Sequence, residues 1–439
     1  MALIIFASAL AIEIGLSIYC IVGRSNREQV KNYIRMAELG LLLLFTILPV
    51  IDWSFRIKGL MFLVAIKALI AFICFLKHKE EKPYSVVRVI FRSIGSMILI
   101  TLMLIPAFLF PQYELPKMTG TYEIETSFYT YVDKNRLEMY SDTGENREVN
   151  VEFWYPKDAK DGEIFPLVVF SHGAFGVRAS NTSDYMNLAS NGYVVCSIDH
   201  PYHSMGTIND KGKLTIVNQS FFQQVFNCNT ATYTEEQLYQ TEQEWMNVRV
   251  PDMNFVIDTI LDNVSAKENG VYQLIDPAHI GLMGHSMGGA TAAQTARIRN
   301  DVQAVIDIEG TMLGEYVGVE NGTFMINPNP YPVPILNVYT ENTIADFEKY
   351  PNEPFVNEIV SNTAPAHFEL YMHGTDHMGI TDLSLFSPFL CKMAQSNMPE
   401  EKYAAADKYY VLNTLNSATL QFFDCYLKGK GEFTMDGDY

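Results

Sequence analysis

A chain of 439 residues with 31 Lys and Arg against 50 Asp and Glu carries a formal charge of −19, and that charge is unevenly spread. Up to Gln112 the net charge is +6, whereas the remainder holds −25. So acidic a C-terminal part should repel polyanions, which argues against nucleic acid as a partner. The six cysteines form no disulfide framework: Cys20 and Cys74 lie in apolar runs and Cys196 in a predicted core strand. Cys228, Cys391 and Cys425 could pair only outside a reducing compartment.

Four apolar stretches open the chain, over 2–22, 37–51, 59–76 and 94–110. Each approaches the ~20 residues that a helix needs to cross a bilayer, and their succession predicts a four-helix transmembrane region over 1–112. No basic residue precedes the first, which sets it apart from a signal peptide. Arg24, Arg27, Lys31 and Arg35 follow the first stretch; Lys77, Lys79, Lys82, Arg88 and Arg92 follow the third; only Arg56 and Lys58 lie between the second and third. Positive-inside bias then places the N-terminus and everything after Pro111 outside the cytoplasm, in an integral protein of the cytoplasmic or plasma membrane that meets membrane lipids through its N-terminal helices. Glu13 and Lys67 fall within the apolar spans, where a structural Glu–Lys contact is the expected arrangement.

A short extended linker over 113–119, marked by Pro116, leads to a domain over 120–439. Strands are predicted over 149–155, 165–170, 193–198, 279–283, 304–308, 335–339 and 368–372, with helices over 235–261 and 413–427 between or after them. The alternation indicates an α/β fold with a mostly parallel central sheet flanked by helices. The insertion 204–243 carries Phe221, Phe222, Val225 and Phe226. It reads either as an apolar lid or as a packing excursion.

The strand at 279–283 feeds Gly284-His285-Ser286-Met287-Gly288, and a small-residue helix follows at once. This is the nucleophile elbow, a strained strand-to-helix turn that exposes a serine Oγ at a helix N-terminus. A serine of this kind needs a histidine to take its proton and a carboxylate to orient that histidine, in the chain order Ser, acid, His. His367, His373 and His377 follow Ser286. His367 precedes a strand and should be at the surface. His377, several residues past the last strand, is favoured as the base, with His373 as the alternative. For the acid, strand-exit geometry favours Glu309, and Asp307 and Glu341 are the alternatives. The i, i+4 pair His373 and His377, with Asp376 between them, suggests a metal site, but it lacks helical context and a further ligand, so no metal or other cofactor is expected. The oxyanion hole should take the N–H groups of Met287 and of Ala174, in the loop after Val168-Val-Phe-Ser-His-Gly173. His172 should brace that turn.

The run Phe165–Gly173, the run Leu188-Ala-Ser-Asn-Gly-Tyr193 with Asp199-His200 behind it, and the 284–291 elbow together resemble the secreted (type II) platelet-activating factor acetylhydrolases. Bacterial polyester hydrolases and lipases look similar. The resemblance spans about 120–427 and implies a Ca²⁺-independent serine esterase of the α/β-hydrolase fold. By the family's spacing, Ser286, Glu309 and His377 take the triad positions, and Ala174 and Met287 the oxyanion positions. Two features depart from the family: it commonly has Asp where this chain has Glu309, and the N-terminal apolar region has no counterpart in the secreted enzymes. The expected function is a membrane-anchored carboxylic-ester hydrolase acting on short-chain or lipid esters. A thioesterase or peptidase of the same fold, and a receptor or assembly module that only binds, are the competing classes.

Overall fold

The computed structural model describes residues 2–51, 53–77, 83–350, 355–394 and 404–439. The chain falls into two compact units, one formed by Met1–Glu114 with Phe386–Leu390 and the other by Leu115–Leu385 with Cys391–Tyr439.

The first unit is helical, with α1 (Ala2–Val22), α2 (Glu28–Ile47), α3 (Phe55–Leu76) and α4 (Val86–Leu109). Among the described residues of this unit four helices form, but only three, Leu3–Val22, Phe55–Leu76 and Val86–Leu109, are long and apolar enough to cross a membrane. The expectation of four spans is therefore corrected. α2 begins nine residues earlier than the apolar run at 37–51, so its first turns carry Glu28, Lys31, Arg35 and Glu38. Its second half does present Leu41, Leu44 and Ile47 outward. The Lys67 ammonium on α3 meets Glu13 of α1 at 2.7 Å and also reaches the Ser96 hydroxyl of α4. A charge in an apolar helix is costly unless paired, and here each partner removes the other's penalty. Lys79 and Lys82 lie outside the described residues.

The second unit is built on a nine-stranded sheet. Its strands in chain order include β1 (Ile124–Leu137), β2 (Asn146–Pro156), β3 (Phe165–Ser171) and β4 (Val194–Asp199). A small hairpin of β5 (Gly206–Ile208) and β6 (Leu214–Ile216) stands outside it. The large sheet resumes with β7 (Ile275–His285) and β8 (Val302–Ile308). A second hairpin, β9 (Tyr316–Glu320) with β10 (Thr323–Ile326), precedes β11 (Ile335–Thr340), β12 (His367–Met372) and β13 (Gly437–Asp438). The order across the large sheet is β1-β2-β4-β3-β7-β8-β11-β12-β13. Pairing is antiparallel from β1 to β2 and β2 to β4, and parallel from there on.

The central strands are apolar on both faces, which is why they sit in the middle. Leu167, Val169, Ile280, Leu282 and Val305 face one layer with Met253, Val256, Ile257 and Ile260 of α7 (Glu235–Ser265) and the alanines of α8 (Met287–Ile298). α6 (Gln219–Asn229) precedes α7 in the chain, and α5 (Thr182–Ser190) lies on the opposite face. There, Val168, Phe170, Ile306 and Ile308 pack with Tyr185 and Leu188 of α5 and with Val411, Leu415 and Phe422 of the closing helix Lys408–Lys428. Each such side chain contributes about 1.5–3 kcal/mol when fully buried. Parallel strands in this arrangement leave their C-terminal ends free on one edge, where βα loops build sites. The loops after β3, β7, β8, β11 and β12 all emerge there.

Cys391 is buried, and Cys228 and Cys425 are half-buried.

Candidate active site

β7 ends at His285, and Ser286 takes φ 55 and ψ −126 before α8 begins at Met287. A non-glycine residue in that region costs of order 1–3 kcal/mol and persists only where its surroundings impose it. Here the Ser286 N–H donates to the Ile308 carbonyl at 2.8 Å, and the Ser286 carbonyl accepts from Gly289 N–H at 2.8 Å. A Cβ on Gly288 would lie 1.9 Å from the Ser171 carbonyl, so only glycine lets the start of α8 close against β3. Ser286 itself remains half-buried, with its hydroxyl at the positive end of α8.

The loop after β3 passes directly over this serine. A Cβ on Gly173 would sit 3.1 Å from Ser286 Cβ. Phe175, two residues on, has φ 62, and its N–H and carbonyl are held by His203 and Met205. Among the described residues, neither the Ala174 N–H nor the Met287 N–H has a hydrogen-bond acceptor. Both donors stand beside the serine with nothing to bind in the folded chain. His172 is fully buried and braces the loop: its Nε2 accepts from the His200 N–H and the Ser204 hydroxyl, and its Nδ1 donates to the Gly173 carbonyl at 2.6 Å. Burial holds its pKa well below the usual imidazole range, so it is neutral.

The loop after β12 carries His377. Its N–H donates to Asn342 Oδ1 at 3.2 Å, and its carbonyl accepts from His285 Nε2 at 2.8 Å. The His285 and His377 rings lie 4.7 Å apart. Desolvation pushes the His377 imidazole down to about 4, which keeps it neutral and able to accept a proton at neutral pH. His373 turns elsewhere. Its Nδ1 meets Glu341 at 3.4 Å and its Nε2 meets Asp438 at 2.8 Å. Two of the alternatives, Glu341 and His373, thus pair with one another. Asp376 Oδ1 accepts the N–H groups of Met378 and Gly379 and so closes the turn around His377. His367 is exposed.

Glu309 leaves β8 with φ 52, and its carboxylate crosses to the end of β11. There it accepts from the Thr340 N–H, from the Thr340 hydroxyl at 2.6 Å and from the Thr343 hydroxyl at 2.9 Å, at the start of α9 (Glu341–Lys349). Burial raises it to about 7 despite those three donors. Asp307 lies beneath the elbow, 1% exposed. Its Oδ2 accepts from Asn357 of α10 (Val356–Ser361), while Oδ1 has no partner. Burial likewise raises it to about 7. Among the described residues, no hydrogen bond joins the Ser286 hydroxyl to His377, or His377 to Glu309 or Asp307. Catalytic hydrogen bonds are commonly long until an acyl group is engaged.

The architecture has matches among known proteins. The family model for platelet-activating factor acetylhydrolase, isoform II, matches residues 130–438. The chain belongs to that family. It is 28% identical over 193 residues to a platelet-activating factor acetylhydrolase of Bos taurus, covering 40% of this chain and 42% of that protein. It is 25% identical over 188 residues to a probable 1-alkyl-2-acetylglycerophosphocholine esterase of Arthroderma benhamiae, covering 42% and 40%. The chain thus spans about two fifths of the length of these relatives. A ferulic acid esterase from Streptomyces cinnamoneus has the same fold, with a TM-score of 0.53 and 20% identity over 73% of this chain and 94% of that one.

A polar cluster lies behind the site. Asp252 of α7 accepts from Arg136, from Arg147 at 2.7 Å and from His200 Nδ1 at 3.0 Å, and His200 Nε2 meets the Ser171 hydroxyl at 2.9 Å. Serine, histidine and aspartate are here linked in the order of a catalytic triad, yet all three are 0% exposed. Paired with Arg147, Asp252 is held well below the usual carboxylate range. Sequence reasoning missed this cluster. Its one local signal was an acid, Asp252, between the buried Val250 and Met253 of α7.

A cap of apolar side chains covers the serine side. Phe221 and Val225 of α6 pack with Trp245, Met287 and Ala290, and Ala174 and Phe175 pack against them. Within the segment 204–243, Phe222 and Phe226 point outward.

Proposed function

We propose that this chain is a serine hydrolase of carboxylic esters that works through an acyl-enzyme on Ser286, with His377 as general base and Glu309 as the orienting acid. The observation that carries this reading is the pair of acceptor-free N–H groups, Ala174 and Met287, beside a serine in a strained elbow. Two donors left unpaired at such a serine are an oxyanion hole in all but substrate. His377 removes the Ser286 proton as the oxygen attacks the ester carbonyl. The resulting oxyanion is met by the two N–H groups, and the imidazolium returns its proton to the departing alkoxide. Water then repeats the sequence on the acyl-enzyme.

The substrate reading is a short-chain or lipid ester. Phe175, Phe221, Trp245 and Met287 give the site apolar walls that suit an apolar ester. The anchor reading rests on three helices long and apolar enough to span a bilayer. With the hydrolase unit outside the cytoplasm, the active site would meet membrane esters at high effective concentration. The −25 carried beyond Gln112 favours neutral or zwitterionic esters over anionic ones.

An organophosphonate probe should label the purified full chain, and Ser286→Ala should abolish both labelling and p-nitrophenyl acetate turnover. Labelling that persists in Ser286→Ala would overturn the assignment.

A further inference from the structure

Arg249 of α7 is fully buried, yet among the described residues its guanidinium makes no hydrogen bond to a carboxylate. Asp252, three residues on, is already occupied by Arg136, Arg147 and His200. Arg249 instead donates to the His172 carbonyl at 2.5 Å, to the Gly173 carbonyl at 3.2 Å and to His203 Nδ1 at 3.2 Å. His203 is fixed in turn by the Tyr140 hydroxyl at 2.7 Å and by the Phe221 ring, stacked at 3.8 Å. Burying a cation against carbonyls alone is expensive, and bracing two carbonyls does not by itself require one.

The Gly173 carbonyl and the Ala174 N–H are the two ends of one planar peptide. In a trans peptide they point in opposite directions. Holding the carbonyl toward Arg249 therefore turns the N–H away from the arginine. His172 Nδ1 grips the same carbonyl at 2.6 Å and the Gly176 N–H reaches it at 3.1 Å, so with Arg249 three donors fix that plane, and only the arginine brings a charge. A positive charge at the oxygen end also draws electron density along the peptide and strengthens the N–H as a donor.

We propose that Arg249 is a positioning residue for the oxyanion hole, which orients and polarises the 173–174 peptide so that the Ala174 N–H meets the developing oxyanion. This inference rests on the reading of Ser286 as the nucleophile. Its signature is a loss confined to the transition state, because the arginine itself never reaches the ester.

The test uses the full chain in detergent, with active sites counted by end-point titration with the organophosphonate. Arg249→Met, which keeps length but not charge, should lower kcat per titrated site on p-nitrophenyl acetate about 10²-fold, the scale of one lost oxyanion donor, with KM changed less than threefold. A trifluoromethyl ketone, whose adduct carries the oxyanion, should bind weaker by a similar factor. Arg249→Lys, which keeps the charge and one donor, should recover about tenfold. A merely structural arginine would lower the Tm and the number of titratable sites but leave kcat per site and ketone affinity unchanged, and that result overturns the proposal. If Arg249→Met does not fold, Arg249→Lys decides: kcat per site equal to wild type overturns the proposal, and a drop of tenfold or more with unchanged KM supports it. Absence of wild-type labelling would remove the underlying reading and this inference with it. A labelled, active wild type with indifferent Arg249 variants removes this inference alone.

Discussion

The Nε2 of His285 donates to the main-chain carbonyl of His377 at 2.8 Å. The residue immediately before the elbow serine therefore holds the loop that carries the proposed base. Burial pushes His285 down to about 3, so it stays neutral and keeps the Nε2–H that this bond needs. His285→Phe retains a ring of similar size and removes the donor. Losing one such bond is worth about 0.5–1.5 kcal/mol, so kcat should fall about 3–10-fold with the fold intact. A variant with wild-type kcat would show that the His377 loop is positioned without this bond.

The proposed acid is tested by degree. Thr340 and Thr343 hold the Glu309 carboxylate at the end of β11, whereas Asp307 lies under the elbow and Glu341 is paired with His373. Glu309→Gln should cost kcat about 10³–10⁴-fold, on the scale of an orienting carboxylate replaced by its amide. Glu341→Gln should cost less than tenfold. If Asp307→Asn is the crippling change and Glu309→Gln is mild, the acid is Asp307.

Buried Asp184 sets a pH dependence of stability. Among the described residues only Thr419 donates to it, at 2.6 Å, and its second oxygen has no partner; burial raises its carboxyl to about 7. A carboxyl raised in the folded state binds more protons there than in the unfolded chain, so it lowers stability as pH climbs from about 4 to about 7. The full penalty applies above pH 7. It is on the order of 3–4 kcal/mol. Asp184→Asn should therefore raise the Tm at pH 8 by several degrees and flatten the pH 5–8 slope of the full chain in detergent. A lower Tm at pH 8 than wild type would refute this.

Whether α2 crosses the bilayer decides the membrane topology. Three crossings put the two chain ends on opposite sides; a fourth through α2 puts them on the same side. The charge bias across the membrane depends on that count. With α2 across, nine Lys and Arg sit in the two inner loops and two in the outer one. With α2 lying in the interface, Arg24, Arg27, Lys31 and Arg35 join Arg56 and Lys58 on one side, and the two sides nearly balance. Protease protection of tags at both ends in intact cells is the measurement. Ends on opposite sides are the expected outcome from three crossings, an exposed C-terminal tag supports a hydrolase unit outside the cytoplasm, and ends on one side would return α2 to the count of spans.

The sheet and the elbow were legible because they are local. Apolar runs named the parallel strands from β4 to β12 but not the two-residue β13, and the glycines around Ser286 named the turn. The start of α2 was not legible, because helix propensity extended the helix N-terminally through charged residues that hydropathy had left in a loop. The Arg147–Asp252 pair was hidden for a different reason: 105 residues separate its members, and no periodicity reports a contact made only when the sheet closes. The acid stayed ambiguous since Asp307 near the end of β8 and Glu309 just past it both end buried.

The linked Ser171, His200 and Asp252 show that a relay of hydrogen bonds is easy for a folded chain to build. Sealed from solvent, that trio has no route by which an acyl group could arrive or an alcohol depart. A geometric search for triads would nonetheless rank it above the Ser286 site, whose own bonds are slack. On the proposed reading, what makes one serine of this molecule a reagent and another a rivet is traffic, and the elbow keeps the Ser286 hydroxyl on the open road.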